Sequence, residues 1–72
     1  MSESKLYCHV KRAANRESAI NMAQELVHPS KWKFEGRGTP GQLAAFHAMR
    51  NRNGNYDALQ RSGYWKVEFY PI

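Results

Sequence analysis

Apolar and polar side chains alternate one for one over residues 5–11, Lys-Leu-Tyr-Cys-His-Val-Lys. Leu6, Cys8 and Val10 fall on one side, and Lys5, Tyr7, His9 and Lys11 on the other. A period of two predicts a strand with one buried face. The period then lengthens. Ala19, Ile20, Ala23, Leu26 and Val27 recur at the i, i+1, i+4, i+7 and i+8 positions of a helical stripe. This predicts a helix over residues 16–27, with Asn15 as N-cap, Glu17 favourably placed in the first turn, and His28-Pro29 ending it.

Alternation returns over residues 31–35, with Trp32 and Phe34 inward and Lys31, Lys33 and Glu35 outward. Thr39, Pro40 and Gln42 then stand where the N-cap, N1 and N3 residues of a capping box belong, which predicts a second helix. Leu43, Phe46 and Met49 are its expected core residues, and it is expected to end near Asn53-Gly54 with Gly54 in the left-handed conformation. Residues 55–60 read as a short further helical turn, broken by Ser62-Gly63. The last strand, residues 64–70, points Trp65, Val67 and Phe69 one way and Tyr64, Lys66, Glu68 and Tyr70 the other. The expected fold is a small single α+β domain, in the order β-α-β-α-(short α)-β. Its three-stranded sheet carries the helices on one face, which buries the apolar stripes together. Residues 1–4 are expected to be a flexible terminus. The right-handed crossover rule favours parallel pairing of the first two strands if they share the sheet.

Composition narrows the function classes. The chain has 72 residues, enough for one core, and a chain this short buries only about 60% of its unfolded surface. Nearly every large side chain is needed for that core, which leaves little of the molecule for a catalytic cleft. Eleven Lys and Arg against six Asp and Glu give a formal charge of +5. That balance favours anionic partners: nucleic acid, an acidic protein surface or anionic lipid. One cysteine excludes an intramolecular disulfide, and no apolar run reaches the roughly 18 residues of a membrane span. The first residues lack the basic and apolar regions of a signal peptide, so residue 1 is expected to be the true start and the location cytoplasmic.

The sheet face left bare by the helices carries the most chemistry. Lys5, Tyr7, His9, Lys11, Lys31, Lys33, Tyr64, Lys66 and Tyr70 all point to it. Rings stack on unpaired bases and lysines neutralise phosphates, so this face is a candidate platform for single-stranded DNA or RNA. The plain alternative is a solvated sheet face, where Lys and Tyr are common. A second candidate is Gly36-Arg37-Gly38-Thr39-Pro40-Gly41, which spells G-x-G-x-x-G between a strand and a helix. The chain is too short for a dinucleotide fold and Pro40 removes an amide, so a turn and cap explain it better. Arg37 remains a candidate contact for one backbone phosphate. The third candidate, Arg50-Asn51-Arg52-Asn53-Gly54-Asn55, joins two guanidinium groups to three amides, with Arg61 close in sequence. Its structural explanation is cations at a helix C-terminus followed by a capped turn.

Catalytic, metal and cofactor roles find no motif. Cys8 and His9 are strand neighbours and face opposite sides, so they make no nucleophile–base pair. His9, His28 and His47 show no ligand spacing with one another or with Cys8. Two functions follow as expectations. The first is a non-enzymatic nucleic-acid-binding protein. The second is a modulator or inhibitor of a larger host complex, of the kind phages and mobile elements encode against host defence. In that second role the Tyr and Arg residues would anchor a protein interface. An edge strand that pairs with a second copy would make a homodimer.

Overall fold

A computed structural model describes residues 5–26, 31–35 and 39–72. The chain forms two helices and one four-stranded antiparallel sheet. The elements run β1 (Lys5–Val10), α1 (Arg16–Glu25), β2 (Lys33–Glu35), α2 (Thr39–Arg50), β3 (Gly54–Arg61) and β4 (Tyr64–Pro71). The strand order is β2-β1-β4-β3, which makes β1 and β4 the central strands. The α+β class, the two helices and the first and last strands follow the sequence pattern.

Two expectations about the sheet are corrected. Residues 55–60 belong to β3, a fourth strand, and not to a helical turn. Asp57, Ala58, Leu59 and Gln60 tolerate a helix well, but all eight residues of β3 pair with β4, from Gly54 opposite Pro71 to Arg61 opposite Tyr64. That ladder, with Tyr56 and Ala58 delivered to the core, outweighs local propensity. Ser62-Gly63 is the two-residue loop of a hairpin, with Gly63 at φ 83°, a conformation glycine takes without cost. The pairing of β1 and β2 is antiparallel, not parallel. Lys5 lies opposite Glu35, Leu6 opposite Phe34 and Tyr7 opposite Lys33. This register joins opposite charges on one face and apolar side chains on the other, each pair worth about 0.2–1 kcal/mol.

Both helices cover the face that carries Leu6, Cys8, Val10, Val67 and Phe69, all buried. Small side chains set the close approach: Ala19 and Ala23 from α1 and Ala45 from α2 are fully buried, with Met49 filling the space beside them. Phe46 packs against this core, but Leu43, expected inside, is exposed. Trp32, Tyr56 and Phe69 form a chain of tilted rings, with centroids 6.3 and 4.9 Å apart. Asn15 caps α1 as expected, its side chain accepting from the Ser18 N–H at 2.8 Å. At the other end the Trp32 indole donates to the Leu26 carbonyl, one of the helix-end groups that lack a partner within the helix.

The end of α2 also differs from expectation. The helix stops at Arg50, and the left-handed residue is Arg52, at φ 58°. The Arg52 N–H donates to the Met49 carbonyl at 3.2 Å and the Asn53 N–H to that of Ala48 at 2.8 Å. These are the paired bonds of a Schellman motif with arginine where glycine is usual. Gly54 starts β3 instead.

A candidate nucleic-acid interface on the bare sheet face

By strand alternation the uncovered face presents Lys33 and Glu35 from β2, Lys5, Tyr7 and His9 from β1, and Tyr64, Lys66, Glu68 and Tyr70 from β4. The fourth strand adds positions 55, 57, 59 and 61. The face is not uniformly positive; it divides into two parts of different character.

The first part is an ion network around Glu68, whose burial on the bare face was not foreseen. Glu68 is only 4% exposed. Its carboxylate accepts from Lys5 Nζ at 2.8 Å and from the Tyr70 hydroxyl at 2.7 Å, with Lys66 Nζ 3.6 Å away. Glu35 joins from β2, 3.4 Å from Lys66 and 3.9 Å from Lys5. Burial alone would push the Glu68 carboxyl up, but Lys5, Tyr70 and the charge of Lys66 outweigh it and hold it below the usual carboxylate range. The hydrogen bond to Glu68 raises Lys5, and the same carboxylate raises the Tyr70 hydroxyl. Lys5, Lys66 and Tyr70, counted at the sequence level as platform residues, are thus partly committed to a buried acid.

The second part is an aromatic strip. Tyr7 and His9 on β1 have ring centroids 5.8 Å apart, and His9 lies 4.6 Å from Tyr64 on β4. His9 is exposed, and Tyr7 and Tyr64 are partly exposed. Lys66 Nζ sits 4.6 Å from the Tyr7 centroid, bridging strip and network. Sequence alternation put these rings on one face, but only the adjacency of β1 and β4 makes them contiguous.

The remaining cations sort by position. Among the described residues, Lys5, Arg16 and Lys66 are in ion pairs, and Lys11, Arg12, Lys31, Lys33 and Arg61 are in none. Lys11 and Arg12 follow the end of β1, Lys31 precedes β2, and Arg61 closes β3. Because neighbouring strands are antiparallel, all four come to the end of the sheet where His9 and Tyr64 lie. Arg12 was missed by sequence reasoning. Its only signal was its place between a strand and an N-cap, where a turn needs unusual dihedrals; it takes φ 65°.

Two other candidates separate from the face. Arg50 and Arg52 are exposed at the end of α2, which packs on the opposite side of the sheet, and the Arg52 charge acts on the core-side Tyr56. Arg61 does not extend their patch: it lies at the far end of β3, about 23 Å away at 3.3 Å per residue. Arg37 and its glycines lie outside the described residues, as do residues 1–4 and His28. Cys8 is buried in the core, and burial pushes its thiol up to about 12, so little thiolate exists near neutral pH. No helix among the described residues is long and apolar enough to cross a membrane. No known protein family, curated protein or solved structure matches this chain.

Proposed function

We propose that this protein binds single-stranded nucleic acid, without catalysing a reaction, through the Tyr7–His9–Tyr64 strip and the cations around it. The observation that carries this reading is the contiguity of three rings, each at least partly accessible, on the two central strands, bordered by lysines and arginines that are in no ion pair among the described residues. Each ring offers a stacking surface to an unpaired base, and the flanking charges follow the phosphates. Tyr rings pre-held by a sheet lose little conformational freedom on binding. A cytoplasmic protein of this kind would meet RNA as readily as DNA, and the strip itself has no means of telling them apart.

Titration of labelled mixed-sequence DNA and RNA oligonucleotides, followed by fluorescence anisotropy, tests the reading. Binding is expected at low salt, with log K falling against log salt by about 0.7 for each phosphate contacted. Tyr64→Ala is expected to weaken binding about tenfold, within the roughly 1–3 kcal/mol of one stacking contact, with the thermal midpoint little changed. Absence of binding at low salt to every oligonucleotide overturns the reading in favour of a protein partner.

A further inference from the structure

The strip ends at a cleft of about 230 Å³ between the β1–α1 turn and the β3–β4 hairpin, walled by Arg12, Gln60, Arg61, Tyr64 and Trp65. Two arginines, Arg12 and Arg61, line one opening together with Tyr64 and Trp65. Neither arginine is in an ion pair among the described residues. The walls are held in place. Trp65 packs against the core and its indole donates to the Ala13 carbonyl at 3.3 Å, tying the hairpin to the turn that carries Arg12. Arg12 itself is in the left-handed region, which costs a non-glycine residue about 1–2 kcal/mol. Asn would tolerate that conformation better, yet arginine stands there.

The volume lies below the roughly 300–1,000 Å³ of sites for drug-sized ligands. It suits one phosphate with part of its nucleotide. Guanidinium groups match phosphate oxygens in paired hydrogen bonds, which lysine cannot do. The Gln60 side-chain amide adds a donor and an acceptor for a base edge. Tyr64 belongs to both structures: one side of its ring closes the strip with His9, and the residue also lines the cleft.

We propose that this cleft is a nucleotide-phosphate subsite: it clamps the phosphate of the nucleotide that follows the one stacked on Tyr64, between Arg12 and Arg61. The inference rests on the nucleic-acid reading for its biological use, but the cleft can be probed alone. In a two-dimensional NMR titration of the intact protein with thymidine monophosphate, the Trp65 indole signal and the Arg61–Trp65 amides are expected to shift. The Trp32 indole, held by Leu26, is expected to stay. Thymidine without phosphate should leave these signals in place. Arg61→Gln and Arg12→Asn, the latter suited to the left-handed turn, should each abolish the shifts. Each should also weaken oligonucleotide binding roughly tenfold for all sequences alike and reduce the salt slope by about 0.7–1. Circular dichroism of both variants should match the parent.

The two proposals fail separately. Oligonucleotide binding that survives both substitutions with its salt slope intact overturns the cleft and leaves the strip standing. Shifts with the monophosphate but no binding to any oligonucleotide support the cleft and overturn the strip. Equal shifts with thymidine and its monophosphate, or none with either, overturn the phosphate subsite.

Discussion

Glu68→Gln is expected to lower stability by about 2 kcal/mol and, in the same protein, to tighten binding to single strands. The stability loss follows from the environment. Breaking a buried pair costs about 3–5 kcal/mol when both partners are fully enclosed, and Lys5 here keeps some access to water, so a figure below that range applies. For a chain of this size 2 kcal/mol moves the thermal midpoint down by roughly 10 °C. Among the described residues Lys5 and Lys66 then keep Glu35 as their acidic partner, at 3.9 and 3.4 Å, and the face gains one unit of positive charge. A polyanion benefits from that change: affinity at low salt should rise several-fold and the salt slope should steepen. Urea titration and anisotropy on one preparation give both numbers. Affinity that falls in step with stability would show that nucleic acid does not approach this face.

The same carboxylate fixes the sign of an acid effect. Its pKa is lower folded than unfolded, so its contribution is fully present above the unfolded value near 4.5 and is lost as pH falls through the folded one. Asp57 acts in the same direction: it is held low first by the Arg16 side chain at 2.9 Å and then by the Ala58 N–H at 2.8 Å. The parent should therefore lose urea resistance from about pH 5 downward. Glu68→Gln should lose less over that interval, because one of the two groups is gone. An equal acid loss in parent and variant would remove Glu68 from the account.

What could be read from the chain alone is what local periodicity carries. Alternation over residues 5–11 and 64–70 placed Tyr7, His9, Tyr64 and Lys66 on one face because strand parity is a property of the strand itself. The Asn15 cap was legible for the same reason. Contiguity of the rings was not, since it depends on β1 pairing with β4, a contact between residues more than 50 apart. The acid at the centre of the face was hidden for a related reason: Glu68 alternates outward like any solvent-facing residue, and its ion-pair partner Lys5 reaches it only once β1 pairs with β4. The cleft needed the β3–β4 hairpin, and β3 was masked by helix-forming residues whose strand character comes from their partner. Net charge suggested a basic surface, but which cations are consumed internally is decided by tertiary neighbours.

The turn from α2 into β3 allows the sharpest check on that corrected region, because a helix cap and a strand predict losses of different size at Gly54 and different effects at Arg52. If Gly54 were a left-handed helix cap, Gly54→Ala would cost about 1 kcal/mol and Arg52 would be an ordinary surface residue. In the strand, a Cβ on Gly54 would collide with the ring of Phe69 and lie 2.5 Å from the Tyr70 carbonyl oxygen. Phe69 is fully buried among the core side chains, and the carbonyl belongs to a central strand, so neither can withdraw cheaply. Gly54→Ala is therefore expected to cost about 3 kcal/mol, the upper end of ordinary overpacking. Arg52→Gly should do the reverse. Arg52 holds the left-handed position of the Schellman motif, where glycine relieves about 1 kcal/mol of strain, so the variant should be more stable than the parent. The same variant tests the division of charge: Arg52 sits across the sheet from the ring strip, so its removal should change oligonucleotide affinity far less than Arg61→Gln does. By urea titration, a stabilised Arg52→Gly together with a loss of about 3 kcal/mol for Gly54→Ala would establish the strand. A loss of only about 1 kcal/mol for Gly54→Ala, with Arg52→Gly no more stable than the parent, would return residues 54–60 to a helical turn and, with it, dismantle the hairpin wall on which the cleft depends.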